Sequence, residues 1–257
     1  MSIELNNRVY VVTGGSKGFG LAIAKSLVAR GARVGLLSRN RAGLDQAVAE
    51  IGSDRAFGVQ GDVGSSEDLG RAFREVADHF GQLDGLVNNA GAARPNKIEK
   101  LIEEEVLMQI NTNFLGTVFA SQAIIPLLRD GGSDNPRIIN ISSASACHFD
   151  EMSHLSIYAA SKAAVERFTR DLAKECQLDE IGVTCIRPGH AETNFAEGWD
   201  MEAIMEGFEA WREEGSYMRV GMSVEQVADA VAFALAQPRG MAVDLLELRP
   251  QRRVEKG

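Results

Sequence analysis

Apolar residues follow two rhythms along this chain. Six short, almost unbroken apolar runs lie at Arg8 to Thr13, Arg33 to Leu37, Ala56 to Gln60, Gly85 to Asn88, Arg137 to Ser142 and Val183 to Arg187. They lack the alternation of a half-exposed strand and predict strands covered on both faces. Between them, Leu21 to Arg30, Arg41 to Ile51, Glu67 to Phe80, Glu104 to Arg129 and Ser156 to Cys176 keep the spacing of helices with one apolar face, the fourth with a break near Asn113. A last helix, Ser223 to Ala236, opens with Ser223 and, three residues on, Gln226, the form of a capping box; Ala242 to Leu248 closes the series as a strand.

Strand and helix alternate, and the connections are long enough for crossovers. The pattern therefore predicts an α/β fold: a doubly wound, mostly parallel sheet with helices on both faces. No repeat, low-complexity tract or linker divides residues 1–257, so one domain is expected. The stretch from Phe195 to Arg219 stands apart because it mixes Trp199, Met201, Met205, Phe208 and Trp211 with acidic residues.

Composition narrows the function classes. With 45% hydrophobic and 25% charged residues, 26 glycines and 6 prolines, the 257-residue chain has the make-up of an ordered globular protein. A formal charge of −9 opposes broad attraction to nucleic acid or anionic membrane, while leaving room for a local basic pocket. The opening residues M-S-I-E-L-N-N-R lack the apolar core of a signal peptide, and no apolar run reaches the ~20 residues of a membrane span, so a cytoplasmic protein is expected. Cys147, Cys176 and Cys185 have no metal-ligand spacing, no histidine cluster supplies one, and no metal is expected.

Candidate chemistry begins at T-G-G-S-K-G-F-G, between the first strand and the first helix. Gly14, Gly18 and Gly20 would let a diphosphate approach backbone N–H groups at the positive end of a helix, which reads as a dinucleotide site. At the end of the second strand, Ser38 and Arg39 stand where an acidic group would hold an adenosine 2′-hydroxyl. Arg39 can instead take a 2′-phosphate, with Lys17 as a second cation, so NADP(H) is favoured and NAD(H) is the second choice. After the third strand, Asp62 is placed to accept from adenine and Val63 to pack on the ring; Asn89, Ala90 and Gly91 follow the fourth strand along the same site.

Tyr158 and Lys162 are four residues apart on one helix and share a face. A nearby ammonium lowers a phenol pKa from about 10, which would make Tyr158 a proton donor for a developing alkoxide. Just upstream, a strand ends in Ser142 and Ser143, and Ser143 is placed to hydrogen-bond a substrate oxygen. At the helix break, the Asn113 amide is placed to hold a water on a proton path through Lys162.

This ordered set resembles the short-chain dehydrogenase/reductase family over nearly the whole chain. Its glycine motif is matched by Thr13-Gly14-Gly15-Ser16-Lys17-Gly18-Phe19-Gly20, bringing in Ser16 and Phe19, its adenine-side acid by Asp62 and its central-strand motif by Asn88-Asn89-Ala90-Gly91. Its four active-site residues fall on Asn113, Ser143, Tyr158 and Lys162, and its nicotinamide loop on Pro188, Gly189 and Thr193. The resemblance implies a Rossmann-like domain that moves a hydride between nicotinamide and a carbonyl or secondary alcohol. Tyr158 would transfer the proton, Ser143 orient the oxygen, Lys162 bind ribose and Asn113 support the relay. It also implies a small helical substrate lid at about 193–220, whose aromatic residues suit a substrate with a hydrophobic or cyclic part, and a homo-oligomer, a tetramer before a dimer. A noncatalytic dinucleotide-binding regulator and an epimerase or dehydratase on the same fold are the alternatives.

Two features depart from the family. Ser143 precedes Tyr158 by 15 residues where the family has 12 or 13, and Ser145 restores the shorter spacing. The ending M-A-V-D-L-L-E-L-R-P-Q-R-R replaces a common glycine-rich one. His148 and His154 lie in the loop before Tyr158 as candidate substrate contacts.

Overall fold

The computed structural model describes residues 3–147, 153–191, 199–214 and 221–251. In chain order it contains β1 (Val9–Thr13), α1 (Gly18–Ala29), β2 (Arg33–Ser38), α2 (Arg41–Ile51), β3 (Ala56–Gln60), α3 (Ser66–Phe80), β4 (Gly85–Asn88), α4 (Glu103–Ile110) and α5 (Gly116–Asp130). Then follow β5 (Arg137–Ile141), α6 (Ser156–Glu175), β6 (Gly182–Pro188), α7 (Met201–Glu214), α8 (Val224–Leu235) and β7 (Leu245–Leu248). The strands form one parallel sheet in the order β3-β2-β1-β4-β5-β6-β7.

Alternation along β1 shows why these runs had to be apolar throughout. Tyr10 and Val12 face a core built with Ile23 and Leu27 of α1, Leu44 of α2 and Val231 and Leu235 of α8. Val9 and Val11 face the opposite core, with Leu69 and Phe73 of α3 and Ile124 and Leu128 of α5. All five β1 residues are buried, as a central strand with helices on both faces requires. The expected capping box also forms: the Ser223 backbone N–H donates to Gln226 Oε1 at 3.0 Å, closing the open end of α8.

The predicted break in the long helix is a π-helical turn, Asn111–Leu115, between α4 and α5. It adds a residue to the turn and brings Asn113 inward, where it is fully buried. The chain winds outward from β1 to β3 and returns to β4 beside β1, so the carboxyl ends of β1 and β4 flank a crevice where the winding reverses, the place where open sheets of this kind accept ligands. Among the described residues, no helix is long and apolar enough to cross a membrane.

Candidate active site

A cleft of about 410 Å³ opens along the carboxyl edge of the sheet. At one end lies the turn between β1 and α1. Gly14 (φ +66°) and Gly18 (φ +54°) adopt left-handed conformations that L side chains resist, and a Cβ at Gly14 would stand 3.1 Å from Ala90 Cα. No acidic residue occupies the first turn of α1, so its N-terminal N–H groups face the cleft without a competing carboxylate. Gly20 does another job: it is buried behind the wall, where a Cβ would overlap the Gly14 carbonyl.

The turn is tied to its neighbours by short hydrogen bonds. Ser16 Oγ donates to Ser38 Oγ at 3.0 Å, Thr13 Oγ1 accepts from the Asn89 and Ala90 N–H groups at 3.0 Å each, and Asn89 Nδ2 donates to Thr13 O at 2.9 Å. Asn88 turns the other way, donating to Asn140 Oδ1 at 2.9 Å inside the core. Ser16, Lys17, Phe19, Ser38, Arg39, Asp62, Val63, Asn89, Ala90 and Gly91 all line the cleft, as do Pro188 and Gly189. Thr193 lies outside the described residues, as does His148.

Charge in the cleft runs against the charge of the chain. Among the described residues, its wall carries Lys17, Arg39 and Lys162 against one carboxylate, Asp62, in a chain of formal charge −9. Asp62 Oδ1 accepts the Gly64 N–H at 2.8 Å, and Oδ2 lies 3.8 Å from Arg39 NH1, an ion pair with both side chains largely in water. Such a pair is worth little and leaves Arg39 able to reorient toward an anion. The glycine cradle, the open helix terminus and these cations fit a nicotinamide dinucleotide.

At the other end stand Ser143, Tyr158 and Lys162. Ser143 follows the end of β5 and its side chain hydrogen-bonds the Tyr158 phenol. Ser143 Oγ also lies 3.2 Å from Ser145 Oγ, and both serines line the cleft. Tyr158 is in the first turn of α6 and Lys162 one turn on, its Nζ 6.0 Å from the tyrosine ring centre and donating to Ile141 O at 2.8 Å. Lys162 is only 4% exposed, and this is a single bond for a group with three donors.

The electrostatics differ from the expectation built on spacing. Burial raises the Tyr158 phenol above its ordinary value, and the hydrogen bond from Ser143 offsets this only in part. Burial also pushes the Lys162 ammonium down to about 8. Desolvation dominates both shifts, with Ser143 opposing it at the phenol and Cys185 at the ammonium, because each charged form has lost its water.

Asn113 is a clamp at this end of the cleft. Its Nδ2 donates to Ala92 O at 2.8 Å and Ser161 Oγ at 2.9 Å, while Oδ1 accepts the Ala92 N–H at 2.7 Å. The amide thus joins the segment after β4 to α6, with both donors committed to protein. A Cβ at Gly91 would stand 3.4 Å from Asn113 Oδ1 and 3.6 Å from Lys162 Nζ, which shows how closely the three segments converge.

Residues that the sequence did not single out complete the wall. Thr112 comes from the π turn, Leu155 from the residue before α6, and His190 and Ala191 from the loop after Gly189. Adjacency to Asn113 and to Pro188-Gly189 was the available signal for all but Leu155. Trp199 and Phe208 close the cleft from the α7 side. Trp211 anchors α7: it is 1% exposed, packs with Ala93 and Leu155, and donates from Nε1 to Ser153 O at 2.7 Å. His154 does not line the cleft; its Nδ1 pairs with Ser153 Oγ at 2.8 Å.

The family model for short chain dehydrogenase matches residues 8–203, which hold every described residue of the glycine turn and of the Ser143-Tyr158-Lys162 cluster. The chain belongs to the short-chain dehydrogenase/reductase family. An uncharacterized oxidoreductase of Staphylococcus epidermidis is 33% identical to this short-chain dehydrogenase/reductase over 96% of the chain and 99% of its own length. A 3-ketoacyl-(acyl-carrier-protein) reductase from Brucella melitensis, solved with NADH, shares 27% identity with a TM-score of 0.83, covering 95% of this chain and 98% of its own. An alcohol dehydrogenase from the archaeon Thermococcus sibiricus, solved with 5-hydroxy-NADP, shares 26% identity with a TM-score of 0.80, covering 97% of this chain and all of its own. This short-chain dehydrogenase/reductase is an oxidoreductase with a Rossmann-like single domain.

Proposed function

We propose that the protein is an NADP(H)-dependent oxidoreductase that interconverts a ketone or aldehyde with the corresponding alcohol. The observation that carries this reading is the meeting of Ser143 and Tyr158 by hydrogen bond, beside Lys162, at one end of a cleft whose other end holds Gly14, Lys17 and Arg39. Gly14, Gly18 and the first turn of α1 hold the diphosphate, Val63 and Asp62 the adenine, and Asn89, Ala90, Gly91, Pro188, Gly189 and Thr193 the remaining length. Arg39 and Lys17 hold a 2′-phosphate. The solved relatives carry NADH in one case and an NADP derivative in the other. The cations here, with no carboxylate at Ser38 or Arg39, favour the phosphorylated cofactor.

When bound, the nicotinamide supplies or accepts the hydride. Ser143 Oγ holds the carbonyl oxygen, and Tyr158 Oη gives its proton to that oxygen in reduction and takes it back in oxidation. The spare donors of Lys162 bind the ribose, and its charge near the phenol favours the phenolate once charge develops. Asn113 keeps the α6 turn and the segment after β4 in register, and its amide oxygen supports a relay water toward Lys162. α7 acts as the lid: Trp199 and Phe208 form an apolar wall suited to a substrate with a hydrophobic or cyclic part.

A panel of ketones and alcohols, followed at the nicotinamide absorbance with both cofactors, tests the reading. Turnover with a kcat/KM ratio favouring NADP(H) is expected, and Arg39→Ala lowers that ratio by about 10–100-fold, the worth of a charge-assisted contact. Faster turnover with NAD(H) in the parent protein would sink the cofactor assignment.

A further inference from the structure

Behind the cleft lies a buried ionic cluster that the reaction described above does not use. Glu166 stands four residues after Lys162 and eight after Tyr158, on the same face of α6. Its carboxylate accepts Arg187 Nε at 2.7 Å and Arg187 NH2 at 2.5 Å, a two-pronged pairing, and Ser142 Oγ at 2.8 Å. Ser142 Oγ also lies 3.2 Å from Lys162 O, and Arg187 NH1 reaches Glu247 Oε2 of β7 at 2.7 Å. The Arg187 and Glu166 side chains are 9% and 12% exposed.

The partners are the immediate neighbours of the reacting groups. Ser142 precedes Ser143, and Arg187 precedes Pro188 and Gly189 of the cleft wall. One planar guanidinium and one carboxylate thus join the end of β5, the Tyr158–Lys162 face of α6 and the end of β6. A buried pair of this kind gains little stability over apolar side chains of similar volume, because desolvation offsets its attraction. Fixed geometry is what it supplies, and an error of about 1 Å at a reacting centre costs on the order of 10²-fold in rate.

We propose that Glu166 and Arg187 are positioning residues that hold Ser143 in register with Tyr158. The proposal rests on the reading of Ser143 and Tyr158 as the reacting pair. The paired replacement Glu166→Leu with Arg187→Met removes both charges together. It strands no other group, since Ser142 Oγ keeps Lys162 O as acceptor and Glu247, 32% exposed, can be hydrated.

The expected result is an unfolding temperature within a few degrees of the parent, a KM for NADPH within about threefold, and a kcat lowered about 10–100-fold. Glu166→Gln keeps an oxygen for Ser142 and Arg187 Nε and should recover most of that loss, leaving kcat about threefold below the parent. A folded paired variant with parental kcat overturns the proposal. If the paired variant does not fold, parental kcat in Glu166→Gln overturns it. Crystal structures of parent and variant read the same point without turnover: the Ser143–Tyr158 hydrogen bond should be broken in the paired variant, and its retention there overturns the proposal. A parent that turns over no ketone or alcohol sinks the functional reading alone, because the crystallographic comparison stands independently.

Discussion

Two deeply buried cations at opposite edges of one sheet, Arg137 and Lys162, are satisfied in opposite ways. At the amino edge, the Arg137 guanidinium, 2% exposed, donates to Asn135 Oδ1 and to the carbonyls of Gln237, Pro238 and Met241 at 2.7–3.1 Å. Asp84, 4% exposed, accepts from Val9 N–H, Gln82, Ser133 and Arg8. At the carboxyl edge, Lys162 is as deeply buried and makes one hydrogen bond. Burial lowers both groups, Lys162 to about 8, but Arg137 has several acceptors to set against its lost water where Lys162 has one. A saturated charge is a fastener; one left with spare donors stores a cost that a ligand can repay. That contrast picks out Lys162 without reference to any motif.

The sharpest way to break the comparison is to remove one polar group from each edge. Tyr158→Phe should lower kcat by about 10²–10⁴-fold while leaving the unfolding midpoint in urea unchanged, since it removes a proton donor and no packing. Arg137→Met should do the reverse. It removes the donor to the Gln237, Pro238 and Met241 carbonyls and should cost about 1–3 kcal/mol in urea unfolding, with parental kcat in the folded fraction. If Tyr158→Phe destabilises as much as Arg137→Met, the division between fastening and functional edges fails.

How far these edges were legible in the sequence depended on whether the causes were local. The strands were readable because burial on both faces leaves apolar runs with no alternation, and element ends shifted by only a few residues, as with β6, which begins at Gly182 and ends at Pro188. The helix break at Asn113 was visible, but not its π-helical form, since apolar spacing does not distinguish an added residue from a cap. Gly14, Gly18 and Gly20 looked alike by spacing; only the fold separates two that free the backbone from one that packs. The raised Tyr158 phenol escaped the sequence altogether. A helix pattern reveals the lysine one turn away but not the water removed from both groups. Glu166 and Arg187, 21 residues apart, were invisible because a strand crossover joins them.

The smallest expected effect is also the one most specific to Lys162. With its folded pKa near 8, below the ordinary lysine value of about 10.4, the folded state releases a proton that the unfolded chain still holds between those two values. The unfolded state binds more protons across that window, so the stability from this residue rises with pH there, the opposite of a lysine that gains a carboxylate partner. Cys176 and Cys185, raised by burial to about 11 and about 12, pull the other way over the same range, because the unfolded thiols ionise first. Referring the parent to Lys162→Met cancels Cys176 and most of Cys185, on which the Lys162 charge is a minor influence beside burial. From pH 7.5 to 9.5, in the absence of cofactor, the parent should gain about 1–2 kcal/mol relative to Lys162→Met in urea unfolding. The same pair of curves also tests the contrast between the edges. A flat difference would mean that the ammonium is as well satisfied as Arg137, and the carboxyl edge would lose its claim to stored cost.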